Sequence, residues 1–360
     1  MAVGQAKRLI VEKRCESAPL VQEIIEAYPE IPREYACGAA RRGARFGTWA
    51  LRYHKGRFLK PCPGTRNYLC CGYQVLNWVL GCPFQCVYCI LQEYLGDHGI
   101  TLFVNLDDAF KEIRGSSSAG DRIVRIGTGE LADSLALETR ISLSARLVRF
   151  FRDLPGVVLE LKTKSGNVDA LQGLAHGGHT IISWSVNPPS VIQEAERGTP
   201  SLKTRLEAAR KCQESGYPIG IHFDPMIWTE DWQDEYHELV RTVLRTLDPA
   251  RIIWISMGAL RYPPSLHSRL VSSGFGLGEL VPGLDGKFRY LRPIRAQMFR
   301  SMVKWIREYG GDIFLYLCME SPEIWVGSMG WAPRDMRELD ALFQERIKAF
   351  WSAGEGPVST

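Results

Sequence analysis

From about residue 72 onward, short apolar or β-branched runs alternate with amphipathic stretches. YQVLNWVLG (73–81) reads as a strand and Leu106–Ile113 as a helix. Arg122–Ile126 reads as a strand, Ser142–Arg152 as a helix, Val157–Lys162 as a strand and Val168–Ala175 as a short helix. Strand Thr180–Val186, helix Leu202–Ser215, strand Pro218–Phe223, helix Asp234–Thr246 and strand Arg251–Ser256 follow. Repeated strand-then-helix units imply a parallel sheet with right-handed crossovers. About six units are countable, short of the eight of a full barrel. The pattern predicts an α/β fold, a partial (β/α)6 TIM-like barrel over 71–260, with a doubly wound sheet as the fallback.

The flanks carry a weaker rhythm. Residues 1–70 read as an N-terminal extension, in which Val21–Tyr28 is a short helix ended by Pro29 and Pro32. Arg41 to Lys60 are basic and aromatic, which suits a solvated extension or nucleic-acid contact. Residues 261–360 read as a C-terminal α+β elaboration on the substrate side. Its first part, 262–292, is rich in Gly, Pro and Ser; helix Ala296–Tyr309 and strand Ile313–Cys318 follow, and Pro357–Thr360 form a disordered tail.

Composition changes little in this picture. The 360 residues are 45% hydrophobic and 23% charged, and the formal net charge of +4 permits nucleic-acid binding without arguing for it. The first residues lack an apolar signal-peptide core, and no stretch of about 18 apolar residues suggests a membrane span. A cytoplasmic protein is expected. Ten cysteines in a long chain of that kind are free for metal rather than committed to disulfides.

The sharpest chemical signal is GCPFQCVYC, with Cys82, Cys86 and Cys89 after a strand. Three thiolates so close together suit a soft, polynuclear metal centre, whereas mononuclear zinc wants four ligands or three and a water. A [4Fe–4S] cluster held by three cysteines leaves one iron open to a small chelating cofactor. The alternative is a zinc knuckle completed by His98 or by Cys70 and Cys71. Further on, polar residues end successive strands: Gly127–Glu130, the Lys162–Lys164 segment, Ser185 and Asn187, then His222 and Asp224. The carboxyl ends of parallel strands are where such barrels bind ligands.

The cysteine spacing, with Tyr88 before the last cysteine, resembles the radical S-adenosylmethionine (SAM) superfamily. The resemblance sharpens to the spore photoproduct lyase family over roughly 70–310. It is carried by CVYCILQEYL, LKTKSGNVD, the long segment ISWSVNPPSVIQEAERGTPSLKTRLEAARKCQESGYPIG, and GKFRYLRP. It implies a [4Fe–4S] cluster on Cys82, Cys86 and Cys89, and SAM as cofactor. Tyr88, Gly129, Glu130, Lys164, Ser185, Asn187, His222 and Asp224 are the implied cofactor-binding residues. The implied reaction is that of a carbon–carbon lyase of DNA repair: a 5′-deoxyadenosyl radical opens the thymine-dimer spore photoproduct. Damaged DNA and a one-electron reductant such as ferredoxin or flavodoxin are the implied partners.

Two positions depart from the family pattern. Glu130 stands where the family has a cysteine that returns a hydrogen atom, and Ile90 stands where it has a relay tyrosine. A thiol S–H is weak and a carboxyl O–H is not, so Cys318 in YLCMESPEIW becomes the candidate catalytic thiol, beside Glu130. Cys62, Cys70 and Cys71 suit a second metal, a cover over the cluster, or simple packing. Lys287, Arg289, Tyr290 and Arg292 offer cations and an aromatic ring for phosphates and an extruded base. Two other readings stay open: the same scaffold acting on RNA, a peptide or a small molecule, and a non-catalytic metal-dependent nucleic-acid-binding module.

Overall fold

The computed structural model describes residues 6–37, 47–65, 67–95, 99–117, 122–275 and 278–355. The basic residues 41–46, His98 and the tail 357–360 lie outside the described residues.

Runs of branched apolar residues build the central sheet. Its parallel strands are Gln74–Leu76 (β1), Val124–Gly127 (β2), Val157–Thr163 (β3), Thr180–Ser185 (β4), Ile219–Met226 (β5), Ile252–Ala259 (β6) and Leu315–Leu317 (β7). They lie side by side in chain order, and Leu59–Pro61 adds an antiparallel edge to β1. Every residue of β4 and β6 is buried, as expected for strands covered on both faces. The sheet curls into a partial barrel. An isolated antiparallel bridge, Leu69 to Glu320, links the segment before β1 to the segment after β7.

All six expected barrel strands are present, and a seventh comes from the C-terminal region. The expected first strand, 73–81, divides in two. Gln74–Leu76 joins the barrel, while Val79–Leu80 pairs with Ile100–Phe103 in a second, five-stranded sheet with Arg8–Glu12, Arg33–Ala36 and Thr48–Arg52. The apolar run is long enough to serve two sheets, and the chain changes sheet at Asn77, whose N–H donates to Phe58 O at 2.9 Å. The Gly- and Pro-rich stretch after β6 also orders, as a small antiparallel sheet of Arg261–Tyr262, Leu280–Pro282 and Phe288–Tyr290.

The expected short helix 168–175 is only a 3-10 turn, Asp169–Leu171, whereas the expected helices that form include Leu143–Arg152, Leu202–Glu214, Trp232–Thr246 and Arg292–Gly310. Ser201 caps the second of these by accepting from Thr204 N. Helices at Pro189–Ala195, His267–Ser272, Pro322–Met329 and Met336–Phe350 were not expected. No helix among the described residues is long and apolar enough to cross a membrane.

Candidate active site

The loop after the first strand region carries the three cysteines. Gly81 turns it at φ 99°, where a Cβ would meet the Gly99 carbonyl oxygen at 3.0 Å. Gln85–Cys86 then pairs antiparallel with Glu196–Arg197, and Val87 N donates to Ala195 O at 2.8 Å. The cysteine loop is thus stitched to the segment that follows β4.

A buried polar network holds this junction. Tyr88 donates its hydroxyl to Glu196, and Asn187 Nδ2 donates to the same oxygen at 2.9 Å. Arg205 Nη2 reaches the other Glu196 oxygen at 2.5 Å, with both side chains fully buried. Arg205 also donates to the carbonyls of Ser185 and Pro200, and Tyr236 donates to Asn187 Oδ1. Burial pushes the Glu196 carboxyl up, but Lys164, Arg205 and the donated hydrogen bonds hold it below its ordinary value. Lys164 sits beside the loop, its ammonium 5.8 Å from the centre of the Tyr88 ring.

The thiols of Cys82, Cys86 and Cys89 are all raised, by burial first. Asp133, Cys89 and Cys86 push Cys82 up further, so the sulfurs act on one another. Among the described residues no three His, Cys, Asp or Glu side chains already converge on one point. The donor set nonetheless fits an iron–sulfur cluster: three soft sulfurs and no fourth protein ligand among them. Cys70 and Cys71 group instead with Cys62, whose thiol burial, Glu130 and the two neighbouring thiols push up to about 12.

A cavity of about 440 Å³ opens next to Tyr88, Cys89 and Ile90. Charged side chains from the ends of successive strands meet in its wall: Glu130 after β2, Lys162 on β3, Asp224 on β5 and Arg261 after β6. Arg261 grips Asp224 with two hydrogen bonds and donates to Cys318 Sγ at 3.5 Å. Burial alone would raise Asp224, yet Arg261 and Lys162 hold it well below the usual carboxylate range. Lys162 is kept charged despite burial by Glu130, Asp224, Cys318 and Glu160. Gly129 must be glycine here, since a Cβ would lie 2.5 Å from Lys162 Cβ. Glu130 accepts the hydroxyl hydrogen of Tyr73, which lies over Gly127.

The spore photoproduct lyase family model matches residues 72–258, more than half of the chain. The chain belongs to the spore photoproduct lyase family. It is similar to the spore photoproduct lyase of Geobacillus sp., 32% identical over 170 residues, 47% of this chain and 50% of that protein. It thus spans about half the length of that relative. That of Clostridium acetobutylicum is 30% identical over 260 residues, 65% of this chain and 73% of that one. A solved spore photoproduct lyase complexed with dinucleoside spore photoproduct superposes with a TM-score of 0.78 at 22% identity, covering 88% of this chain and 99% of that one. At that identity the likeness establishes the fold, a curled barrel of the radical SAM type.

Within this family fold, Tyr88, Glu130 and Asp224 reach the cavity, whereas Ser185, Asn187 and His222 are buried behind it. His222 Nε2 bonds Glu160 Oε1 at 3.0 Å, and Ser183 and Trp254 donate to the same oxygen. Cys318 immediately precedes Met319, which lines the cavity, and burial pushes its thiol well up. Two expected nucleic-acid contacts are overturned. Arg289 is buried at 1% exposure, forked onto Asp285 and bonded to Met319 O, and Tyr290 is fully buried with its hydroxyl accepting from Trp228 N. Their basic and aromatic character serves internal pairing. Lys287 lines the cavity and Arg292 is exposed, so both remain accessible. Sequence reasoning missed Glu160, Glu196, Arg205 and Arg261. For two of them a signal existed: Glu196 is the glutamate of the family-like Glu-x-Gly-Thr, and Arg205 lies on the arginine-containing helix after it.

Proposed function

We propose that the chain is a radical SAM lyase that repairs the thymine-dimer spore photoproduct in DNA. The observation that carries this reading is the cavity, which runs from Tyr88 and Cys89 to a wall of Glu130, Lys162, Asp224 and Arg261. Cys82, Cys86 and Cys89 would hold a [4Fe–4S] cluster, and SAM would bind against Tyr88, Gly129, Glu130 and Lys164. Bound there, these groups would supply one-electron reductive cleavage chemistry able to remove a hydrogen atom from the lesion. Ser185, Asn187 and His222 act from behind, fixing the strand ends that shape the cofactor side. Glu196 fixes Tyr88, and Arg205 fixes Glu196. Glu130 and Asp224 keep Lys162 charged in the cavity wall, and Arg261 holds Asp224 there.

Cys318 is the proposed hydrogen donor in place of the thiol absent at Glu130. Its S–H bond would break as the product C–H bond forms, and the thiol would be restored by a hydrogen atom returned from the cofactor side. A raised thiol pKa supports this role, because the transfer needs the protonated form. Lys287 and Arg292 are the proposed phosphate contacts. A ferredoxin or flavodoxin is the proposed reductant, and the cytoplasm the proposed location.

Glu130 and Ile90 favour one second reading, in which the same radical acts on RNA, a peptide or a small molecule. Incubation of the anaerobically reconstituted protein with dithionite, SAM and dinucleotide spore photoproduct separates the two. Restored thymidylyl-thymidine, absent from a Cys89→Ala control, is expected. Production of 5′-deoxyadenosine with no repair would leave only the second reading standing.

A further inference from the structure

The chemistry above leaves unused a basic loop that leads to the cavity mouth. Residues 53–60 read Tyr-His-Lys-Gly-Arg-Phe-Leu-Lys. Burial fixes the backbone of this loop. Phe58 is 2% exposed and packs edge-on against His54 and Phe103. Glu112 accepts from Phe58 N at 2.8 Å and from Leu59 N at 3.2 Å, while His54 N donates to Asn105 Oδ1 at 2.8 Å. The loop is therefore held at both ends.

What the loop presents is positive charge. Lys55, Arg57 and Lys60 are exposed, and Lys60 lines the cavity mouth in the same wall as Lys287. Arg57 approaches Glu112 only at 3.9 Å with its side chain 88% exposed, a pairing worth little. Among the described residues no salt bridge engages Lys55 or Lys60. A pinned backbone carrying three cations with so little internal pairing suits a polyanion better than it suits folding. Five residues reach at most roughly 17 Å in extended chain. With one phosphate per about 3.4 Å of axis on each strand, such a run faces several successive phosphates.

We propose that Lys55, Arg57 and Lys60 form a track for the phosphate backbone of the DNA strand that continues outward from the nucleotides held in the cavity. This rests on the DNA-lesion reading above, and it assigns the strand's exit side. Lys55 and Arg57 are not among the residues lining the cavity, so they engage an oligonucleotide and not a dinucleotide held in the cavity.

The test uses the full, reconstituted protein and the double variant Lys55→Ala/Arg57→Ala, both residues lying outside the cavity wall. Binding to an undamaged DNA duplex is measured across a salt series. The expected result is an affinity about tenfold lower near 0.1 M salt, with the slope of log K against log salt shallower by roughly 0.9 for each lost contact. The exchange Lys55→Arg/Arg57→Lys should restore both. Repair of the dinucleotide should proceed at the parent rate. Unchanged duplex affinity and slope would overturn the track, and so would an equal loss of dinucleotide repair, which would mark the loop as structural. Binding needs no turnover, so a protein inactive on the photoproduct would still confirm or refute the track.

Discussion

Arg261 holds Asp224 in a two-pronged grip, Nη1 to Oδ1 at 2.9 Å and Nη2 to Oδ2 at 3.0 Å, in the wall of the main cavity. The side chains are 12% and 9% exposed, so neither charge has much water to fall back on. A buried pair of this kind tolerates removal of one partner badly, at about 3–5 kcal/mol. Asp224→Asn should therefore lower unfolding stability by roughly 3 kcal/mol in a urea titration. It should also leave Arg261 and Lys162 facing each other without their shared counter-charge. A stability loss below about 1 kcal/mol would show that Glu320 already satisfies Arg261.

Cys318 touches the same arginine. Cys318→Ala should leave 5′-deoxyadenosine formation within about twofold of the parent protein. Repair of the dinucleotide should fall by roughly 10²-fold or more, a loss of about 3 kcal/mol in transition-state stabilisation. Product analysis by mass spectrometry gives the check. Unimpaired repair would assign the hydrogen return to another donor.

Tyr88 and Glu196 tie the cysteine loop to the barrel. Tyr88→Phe removes one donor to a carboxylate that keeps Asn187 and Arg205, so it should cost about 1–2 kcal/mol and lower iron content modestly. Glu196→Ala strands Arg205 in a fully buried site and should cost about 3–5 kcal/mol. Iron and sulfide content per chain, with denaturation midpoints, distinguish the two; equal effects would contradict the ranking.

Glu160 contributes, with Asp224 and Asp285, to the acid limb of the pH dependence. Burial would raise its carboxyl, but hydrogen bonds from His222 and Ser183, with the charge on Lys162, bring it from 4.5 to about 2. The folded state therefore binds its proton less readily than the unfolded state. That contribution to stability is whole above about pH 4.5 and drains away as the pH falls toward 2. His222, lowered by burial and by Lys162, acts in the same sense from its ordinary value of 6.5 downward. Urea unfolding should show stability falling below about pH 4.5, whereas Glu138, raised to about 7 by burial, opposes His222 between pH 7 and 4.5. Glu160→Gln should flatten the part below about pH 4.5; an unaltered acid limb would place the titration elsewhere.

The features legible in the sequence are those written in adjacent residues. The spacing of Cys82, Cys86 and Cys89 and the polar ends of the apolar runs are local patterns, and the structure sets Glu130 and Asp224 in one wall as those runs imply. Features written across the chain were not legible. Arg205 reads as one more cation on an amphipathic helix, and only the fold turns it inward onto Glu196. Arg289 and Tyr290 look like a solvated basic loop because, beyond the nearby Asp285, their partners are backbone groups of Met319 and Trp228 brought up by tertiary packing. Arg261 follows an apolar strand and precedes prolines, a setting that hides its fork onto Asp224. The divided strand at Asn77 has the same origin, since periodicity reports that a run is extended but not which sheet it joins.

The pairing of Gln85–Cys86 with Glu196–Arg197 sets an order of events during synthesis. Tyr88 and Glu196 are separated by 108 residues, so the loop leaves the ribosome well before the segment that clamps it. Chains fold from the N-terminus as they emerge, and contacts of such long separation close late. Through that interval the three thiols belong to a nascent chain whose fourth strand has yet to appear. Loading of the proposed cluster would then follow release of the barrel's second half, and a truncated product ending before Glu196 should be a poor recipient for it however intact its cysteines.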